Sequence, residues 1–183
     1  MTAPELTTLA DAFREFDLGA RLCGDAGTET VSVYRGATSL PQLDLEALGP
    51  CLVTGDLDVA GDILGMGEES GFLIVLGTCH ARNLLIGGPE VWIERDLIVE
   101  NGVLADYNHG LLTVGGDLTA TVVCAEHTVR VNDAAFSPTV SRDEAVHQAK
   151  TRFVPEVLNA QGCVTGRLLM QRMLSGASVL LAD

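Results

Sequence analysis

The fold is decided by a stretch that reads LVTGDLDV at residues 52–59 and returns as IVLGTCHA at 74–81, WIERDLIV at 92–99 and TVGGDLTA at 113–120. Each copy alternates apolar and other residues around a central turn. Aligned on that turn, at Gly55, Gly77, Arg95 and Gly116, the copies lie 22, 18 and 21 residues apart. Alternation with a period of two, broken by a Gly-Asp corner, indicates short strands.

A repeat of about 20 residues suits one coil of a β-solenoid, in which equivalent side chains of successive coils stack. The aligned apolar columns are Val53, Val75, Ile93 and Val114; Leu57, Cys79, Leu97 and Leu118; and Val59, Ala81, Val99 and Ala120. A further apolar pair follows each copy, at Ile63-Leu64, Leu84-Leu85, Val103-Leu104 and Val122-Val123. The competing fold is a β-sandwich of hairpins, which does not require such columns. The sequence therefore predicts a mainly β protein, a single-stranded parallel β-helix flanked by N- and C-terminal helices.

One domain is predicted over residues 1–183, with the solenoid at 51–131 between an N-terminal cap at 1–50 and a C-terminal helical cap at 132–183. The predicted N-terminal elements are a helix with the apolar stripe Leu6, Leu9, Phe13 and Phe16, and a strand at 30–34. The predicted C-terminal elements are helices from Ser141 to about Arg152 and from Gly166 to Ser175, and a short strand at 179–181.

The charge of the chain is strongly acidic, with 11 Lys and Arg against 25 Asp and Glu and a net charge of −14. Nucleic acid and anionic membranes are excluded as partners, because both need basic residues and the chain has a single lysine, Lys150. Residues 51–120 hold eleven acidic and two basic residues, a net charge of −9. Coils about 4.8 Å apart should sum these charges into one negative field.

The acidic residues divide into two groups. Asp56, Asp96 and Asp117 share the corner column, where aspartate bonds backbone N–H groups. Seven of the other acids predict an acidic face that binds a basic protein, with solubility as the alternative role. The string at 105–110 is either a structural corner, because Asn-x-Gly suits a left-handed turn, or a recognition patch that adds a tyrosine and a histidine. The candidate partner-binding residues are Asp58, Asp62, Glu68, Glu69, Glu94, Glu100, Asp106, Tyr107 and His109.

Catalytic and metal-binding motifs are missing, so we expect no enzyme, no cofactor and no metal site. Cys124 and His127 have a CxxH spacing, but no second ligand pair accompanies them. Cys79 falls in an inward column, which predicts that its neighbour His80 points outward. Five scattered cysteines, no apolar run long enough to span a membrane and no signal-peptide pattern predict a cytoplasmic location.

The string YNHGLLTVGGDLTA at residues 107–120 resembles a bacterial group of small acidic proteins described as polymer-forming or bactofilin-like. Their repeats carry the pattern YNHG-x-L-x-V-x-GDL-x-A, and the similarity covers about residues 51–131 and the tail at 157–181. The resemblance implies a right-handed β-helix without catalysis, and an immunity role beside toxins. About 50 flanking residues on each side distinguish this chain from bactofilins proper.

Two functions follow as hypotheses. The first is an acidic immunity-type inhibitor that occludes a basic effector or toxin, acting as a monomer or small homo-oligomer. The second is a bactofilin-like structural scaffold that assembles through the solenoid ends.

Overall fold

The computed structural model describes residues 3–20, 29–67, 71–106, 110–126, 128–135 and 151–181, which form a β-solenoid of about five coils with a few helices. In chain order the strands are β1 (Glu5–Thr8), β2 (Thr30–Tyr34), β3 (Thr38–Leu40), β4 (Leu43–Asp44), β5 (Cys51–Val53), β6 (Leu57–Gly65), β7 (Phe72–Val75), β8 (Cys79–Ile86), β9 (Glu90–Ile93), β10 (Leu97–Ala105), β11 (Leu111–Val114), β12 (Leu118–Thr119), β13 (Val122–Ala125), β14 (Thr128–Val131) and β15 (Ala134–Ala135). The helices are α1 (Leu9–Phe16), α2 (Leu45–Leu48) and α3 (Gly166–Leu174), with 3₁₀ turns at Leu18–Ala20 and Pro155–Val157.

The strands form two sheets. In each repeat copy, the strand before the turn at Gly55, Gly77, Arg95 or Gly116 belongs to one sheet, and the strand after the turn belongs to the other. Sheet 1 has the order β1-β2-β5-β7-β9-β11-β14-β15, and sheet 2 runs β12-β10-β8-β6-β3, with β13 pairing β10 and β4 pairing β6. Strands of successive coils are parallel, and among the strands of the two described sheets β1 and β15 pair antiparallel to their neighbours. Parallel stacking of equivalent strands confirms the solenoid and excludes a sandwich of hairpins.

The predicted columns are the inner lining of the solenoid. Val53, Val75, Ile93 and Val114 are register partners, as are Leu57, Cys79, Leu97 and Leu118. One difference from the prediction concerns the apolar pair that follows the fourth copy of the repeat. Val103 stands beside Val123, so the fourth pair is Val123-Cys124 and not Val122-Val123.

Sheet 2 contains a register break in most coils, between Val59 and Asp62 on β6 and between Val99 and Gly102 on β10. The break divides the sheet into a first half next to the Gly-Asp corner and a second half beyond it. Residues 57–59, 79–81, 97–99 and 118–119 belong to the first half, and residues 62–65, 83–86, 102–105 and 122–125 belong to the second half.

The solenoid begins one coil earlier than predicted. β2 pairs in parallel with β5, and β3 pairs in parallel with β6, so residues 30–48 form the first coil and not a cap. This coil turns at Gly36 but has Tyr34 in the column of Val53 and Thr38 in the column of Leu57, which weakens the apolar pattern that identifies the other coils.

The N-terminal segment also departs from the predicted stripe. The Thr8 hydroxyl accepts a hydrogen bond from the Asp11 N–H at 3.2 Å, so α1 begins at Leu9. The residues before it form β1, which pairs with β2, and the Leu6 side chain is 67% exposed. From α1, Leu9 and Ala12 pack on the outer side of sheet 1, in a hydrophobic cluster whose other fully buried members are Leu18, Val31, Val33, Leu52, Phe72 and Ile74.

The described C-terminal segment, residues 151–181, lies along the outer side of the second half of sheet 2. Its buried side chains form one cluster with residues of the sheet, namely Phe153, Val157, Val164, Leu169, Met173 and Val179 against Leu85, Leu104 and Val122. α3 ends one residue before the predicted boundary, and Phe153 bridges Leu180 near the predicted last strand. Residues 141–150 of the other predicted helix lie outside the described residues.

Candidate functional site

The corner between the two sheets is held by aspartates that bond to the next coil. Asp56 Oδ1 accepts a hydrogen bond from the Thr78 N–H, and Asp96 Oδ1 accepts one from the Asp117 N–H, both at 2.9 Å. Asp117 itself accepts from the Asn132 side-chain amide at 3.3 Å. The predicted role of backbone bonding is therefore confirmed for the first two aspartates, while the third bonds a side chain.

The same corner explains why glycine recurs at the turn position. A Cβ at Gly77 would meet the Asp56 carboxylate and lie 2.6 Å from the carbonyl carbon of Gly55. A Cβ at Gly116 would meet the Asp96 carboxylate in the same way. Arg95 is the exception in the column, and the coil before it carries Thr78 at the position of Asp56, Asp96 and Asp117.

The first half of sheet 2 presents one outward column that we call the open strip. Its members are register partners from coil to coil, and they are Ser39, Asp58, His80, Ile98 and Thr119. Four are exposed and Ile98 is half-buried, and no described segment of the chain packs over them. The prediction that Cys79 points inward and His80 outward is confirmed, since Cys79 is fully buried and His80 is exposed.

The outward residues of the second half of sheet 2 lie on the same side of the sheet but are covered, and we call them the covered strip. Its outward residues are Asp62, Leu64, Asn83, Leu85, Gly102, Leu104, Val122 and Cys124. Leu85 and Leu104 are at most 1% exposed under the C-terminal segment. Gly102 leaves space for Met173, whose Cε would lie 2.9 Å from a Cβ at that position.

Asp62 belongs to this covered strip and is only 4% exposed. Its carboxylate accepts hydrogen bonds from Arg82 at 2.9 and 2.6 Å and from the Asn83 amide at 2.8 Å. Asn83 also donates to the Met173 carbonyl at 3.2 Å, which ties the network to α3. Within the described residues the Asn83 Oδ1 has no hydrogen-bond partner. Asp62 is thus buried in contacts within sheet 2, and Asn83 links this network to the C-terminal segment.

Two more candidate residues already have structural contacts. Glu94 is half-buried and accepts a hydrogen bond from the Trp92 indole N–H at 3.0 Å. The Asp106 carboxylate lies against Gly166, the first residue of α3, in the space that a Cβ would occupy. A negative charge there stabilises the positive end of the helix dipole. Thr165 is the N-cap residue of α3, but its side chain makes no capping hydrogen bond.

Asp58 and Glu100 are the candidate residues whose side chains the structure places on the exposed surface. Asp58 lies on the open strip, and Glu100 lies at the register break of β10. The hydrogen bonds and charge of Asp62 raise the pKa of Arg82, and the charge of Glu100 raises it further by a smaller amount. The remaining candidates, Glu68, Glu69, Tyr107 and His109, lie outside the described residues.

The open strip is acidic because the corner column runs beside it. Exposed or half-buried acids on and next to the strip are Asp56, Asp58, Asp96, Glu100 and Asp117. The nearby cations are Arg95, which is exposed, and Arg82, which Asp62 already neutralises. The surface therefore has an excess of negative charge, to which the coils of Asp58, Ile98 and Thr119 contribute.

Two of the described thiols, those of Cys51 and Cys79, are buried in the core. Burial raises the pKa of both the Cys51 and the Cys79 thiol to about 12, which keeps them protonated and unreactive. Among the described residues, no three His, Cys, Asp or Glu side chains are grouped to hold a metal ion. In the same part of the chain, no helix has the length and apolar character of a membrane span.

Comparisons with family models, with curated proteins and with solved structures find no match to this chain.

Proposed function

We propose that this chain is a non-enzymatic protein-binding β-solenoid, which uses the open strip and the acidic corner beside it to bind a basic protein. The most specific form of the proposal is an immunity-type inhibitor that occludes a basic effector or toxin in the cytoplasm. A right-handed winding belongs to the same proposal, because parallel strand crossovers take that hand in about 98% of cases.

One contrast carries the proposal. Among the described residues, α1 packs over the outer side of β2, β5 and β7, and residues 151–181 cover the second half of sheet 2, whereas no segment packs over the first half of sheet 2. The covering segments bury apolar outward residues, because removing apolar surface from water is favourable. The uncovered residues are mostly polar and stay in contact with water or with a partner. Exposed acids lie on and beside this uncovered surface as well.

The chemistry of the open strip suits recognition of a basic surface. Asp58 on the strip, with Asp96 and Glu100 beside it, supplies negative charge, which raises association rates and disfavours acidic or nucleic-acid partners. His80 and Ile98, next to each other in register, supply an apolar and aromatic centre that a partner could desolvate. Charged rims and an apolar centre are the usual division of roles in a protein interface.

The test is capture of a basic partner by the full chain, carrying Asp58→Lys and Glu100→Lys together. The partner is the protein that co-purifies with the wild-type chain when expressed with its neighbouring genes. We expect capture to fall at least about tenfold, with an unchanged melting temperature, since both side chains are exposed.

The matched control is Glu29→Lys with Glu156→Lys, which changes the net charge equally at two exposed positions outside the open strip. We expect this control to capture nearly as much partner as the wild type. Equal loss in the two double variants would mean that net charge and not the open strip governs binding.

A structural scaffold is the second candidate function, and the solenoid ends favour it. β1 and β15 close the ends of sheet 1, but within the described residues the terminal strands of sheet 2, β3 and β12, have one unpaired edge each. Unpaired edges favour strand addition between molecules. Light scattering after size-exclusion separates the candidates, since a scaffold forms filaments as concentration rises and an inhibitor stays a monomer or small oligomer.

A further inference from the structure

The free edge of β3 is the starting point. β3 pairs with β6 on one side, and the Thr38 N–H donates to the Asp56 carbonyl at 2.8 Å. Alternate residues of a parallel strand point their N–H and C=O groups to alternate sides. The N–H and C=O of Ser39 therefore point away from β6, to a side where the described residues include no strand.

A cavity lies beside this edge, at the N-terminal mouth of the solenoid. Its volume is about 260 Å³, and its lining includes Tyr34, Leu40, Leu43 and Leu48, with Asp44 and Ala47 among the others. The lining is the inner surface of the first coil, since Leu40 and Leu43 belong to the same core cluster as the inner columns. The cavity has room for an apolar side chain or two.

The charge around the edge is negative. Asp58 stands next to Ser39 in register, and Asp56 and Asp44 are also exposed nearby. Arg35 precedes the strand, but its guanidinium is bonded to Glu5 at 2.7 Å and to Glu15 at 2.6 Å. A second copy of this chain would bring like charges together at the edge, whereas a basic segment would be attracted to it.

We infer that β3 accepts an extended basic segment of a partner protein as an added strand, with an apolar side chain of that segment in the cavity. The Ser39 N–H and C=O supply the main-chain hydrogen bonds, the cavity supplies the anchor, and Asp44 and Asp58 face the basic side chains. Strand addition of this kind takes affinity from the main chain and specificity from alternate side chains. The inference rests on the proposed function for the basic character of the partner.

The probe is a six-residue peptide of alternating lysine and leucine, titrated into the full chain and followed by fluorescence anisotropy. Two reference peptides accompany it, one with glutamate in place of lysine and one with alternate main-chain amides N-methylated. We expect the lysine peptide to bind, and each reference peptide to bind at least about tenfold more weakly, because one lacks the charge and the other the hydrogen bonds.

Two variants test the place of binding. Ser39→Pro removes an N–H that β6 does not use, and proline is tolerated at a free strand edge. Ala47→Trp fills the cavity from an exposed position of α2. We expect both to weaken peptide binding at least about tenfold while Ser39→Ala, which keeps the N–H, binds like the wild type. Unchanged melting temperatures establish that both variants fold.

Three outcomes overturn the inference: no binding of the peptide to the wild type, binding to both variants as tight as to the wild type, or a concentration-dependent dimer that Ser39→Pro abolishes. The last result assigns the edge to a second copy of the chain. Loss of partner capture in Asp58→Lys with Glu100→Lys, with peptide binding insensitive to Ser39→Pro, rejects this inference alone. Peptide binding at β3 with capture insensitive to that double variant rejects the proposed function alone.

Discussion

The two halves of sheet 2 share the same strands but face different surroundings. On β6, Asp58 in the first half is exposed, while Asp62, four residues later, is buried against Arg82 and Asn83. On β10, Ile98 is half-buried, while Leu104 is covered by the C-terminal segment. Outward residues on one strand therefore serve packing or stay exposed, depending on whether a flanking segment lies over them.

The largest difference is expected between Leu104→Ala and Ile98→Ala. Leu104 is 1% exposed within the cluster that docks residues 151–181, so its truncation should lower the free energy of unfolding by about 3 kcal/mol. Ile98 is half-buried, so the same measurement should show a loss below about 1 kcal/mol. Urea unfolding measures both losses, provided that the dependence of the unfolding free energy on urea concentration is the same in both variants. Equal losses would contradict the distinction between the strips.

Asp62→Ala against Asp58→Ala compares two aspartates of one strand. Removing Asp62 leaves Arg82 and Asn83 without their partner, at a cost of about 2 kcal/mol, reduced because the Arg82 side chain is 36% exposed. Removing Asp58 should change stability by less than about 0.5 kcal/mol. Thermal unfolding followed by circular dichroism tests this, and a neutral Asp62→Ala would mean that the network holds nothing in place.

The comparison of the two strips also shows which features of the fold could be predicted from the sequence. The inner columns were predictable because period-two alternation and the Gly-Asp corner fix which residues stack. The covered strip left a signal as well, since pairs such as Leu84-Leu85 place one apolar residue on the outside. An outward leucine needs a covering segment, but the pattern does not say which one.

Other features depended on information outside any local pattern. Asp62 resembles Asp58 in the sequence, and only its position after the register break places it under α3. Arg82 and Asn83, which complete the network, belong to no motif, and their spacing from Asp62 becomes meaningful only when coils are stacked. Leu6 matched the helical spacing of α1, but Thr8 begins the helix after it and β1 pairs with β2.

Gly166→Ala tests how the C-terminal segment is fixed to the end of β10. The added Cβ would meet the Asp106 carboxylate, which should lower the free energy of unfolding by about 1–2 kcal/mol. Asp106→Ala in the same chain should restore part of that loss, because it removes the group that the Cβ meets. Calorimetry of the two single variants and the double variant measures the coupling, and purely additive losses would contradict the contact.

The smallest difference is expected along the corner column beside the open strip. Asp96→Ala removes a hydrogen bond to the Asp117 N–H and should cost about 1 kcal/mol. Asp117→Ala removes a longer bond to the exposed Asn132 amide and should cost less than about 0.5 kcal/mol. Chemical denaturation measures the loss of unfolding free energy in each variant. A larger loss for Asp117→Ala than for Asp96→Ala would mean that the aspartate hydrogen bonds at the corner do not stabilise the stacking of the coils.

The central claim is that the open strip, and not the acidity of the whole chain, binds a basic partner. The most direct measurement is the Kd of the captured partner for wild type, for Asp58→Lys with Glu100→Lys, and for Glu29→Lys with Glu156→Lys, by titration calorimetry. The account predicts that the first double variant weakens binding at least about tenfold and the second less than about threefold. Equal Kd values for the two double variants would contradict it.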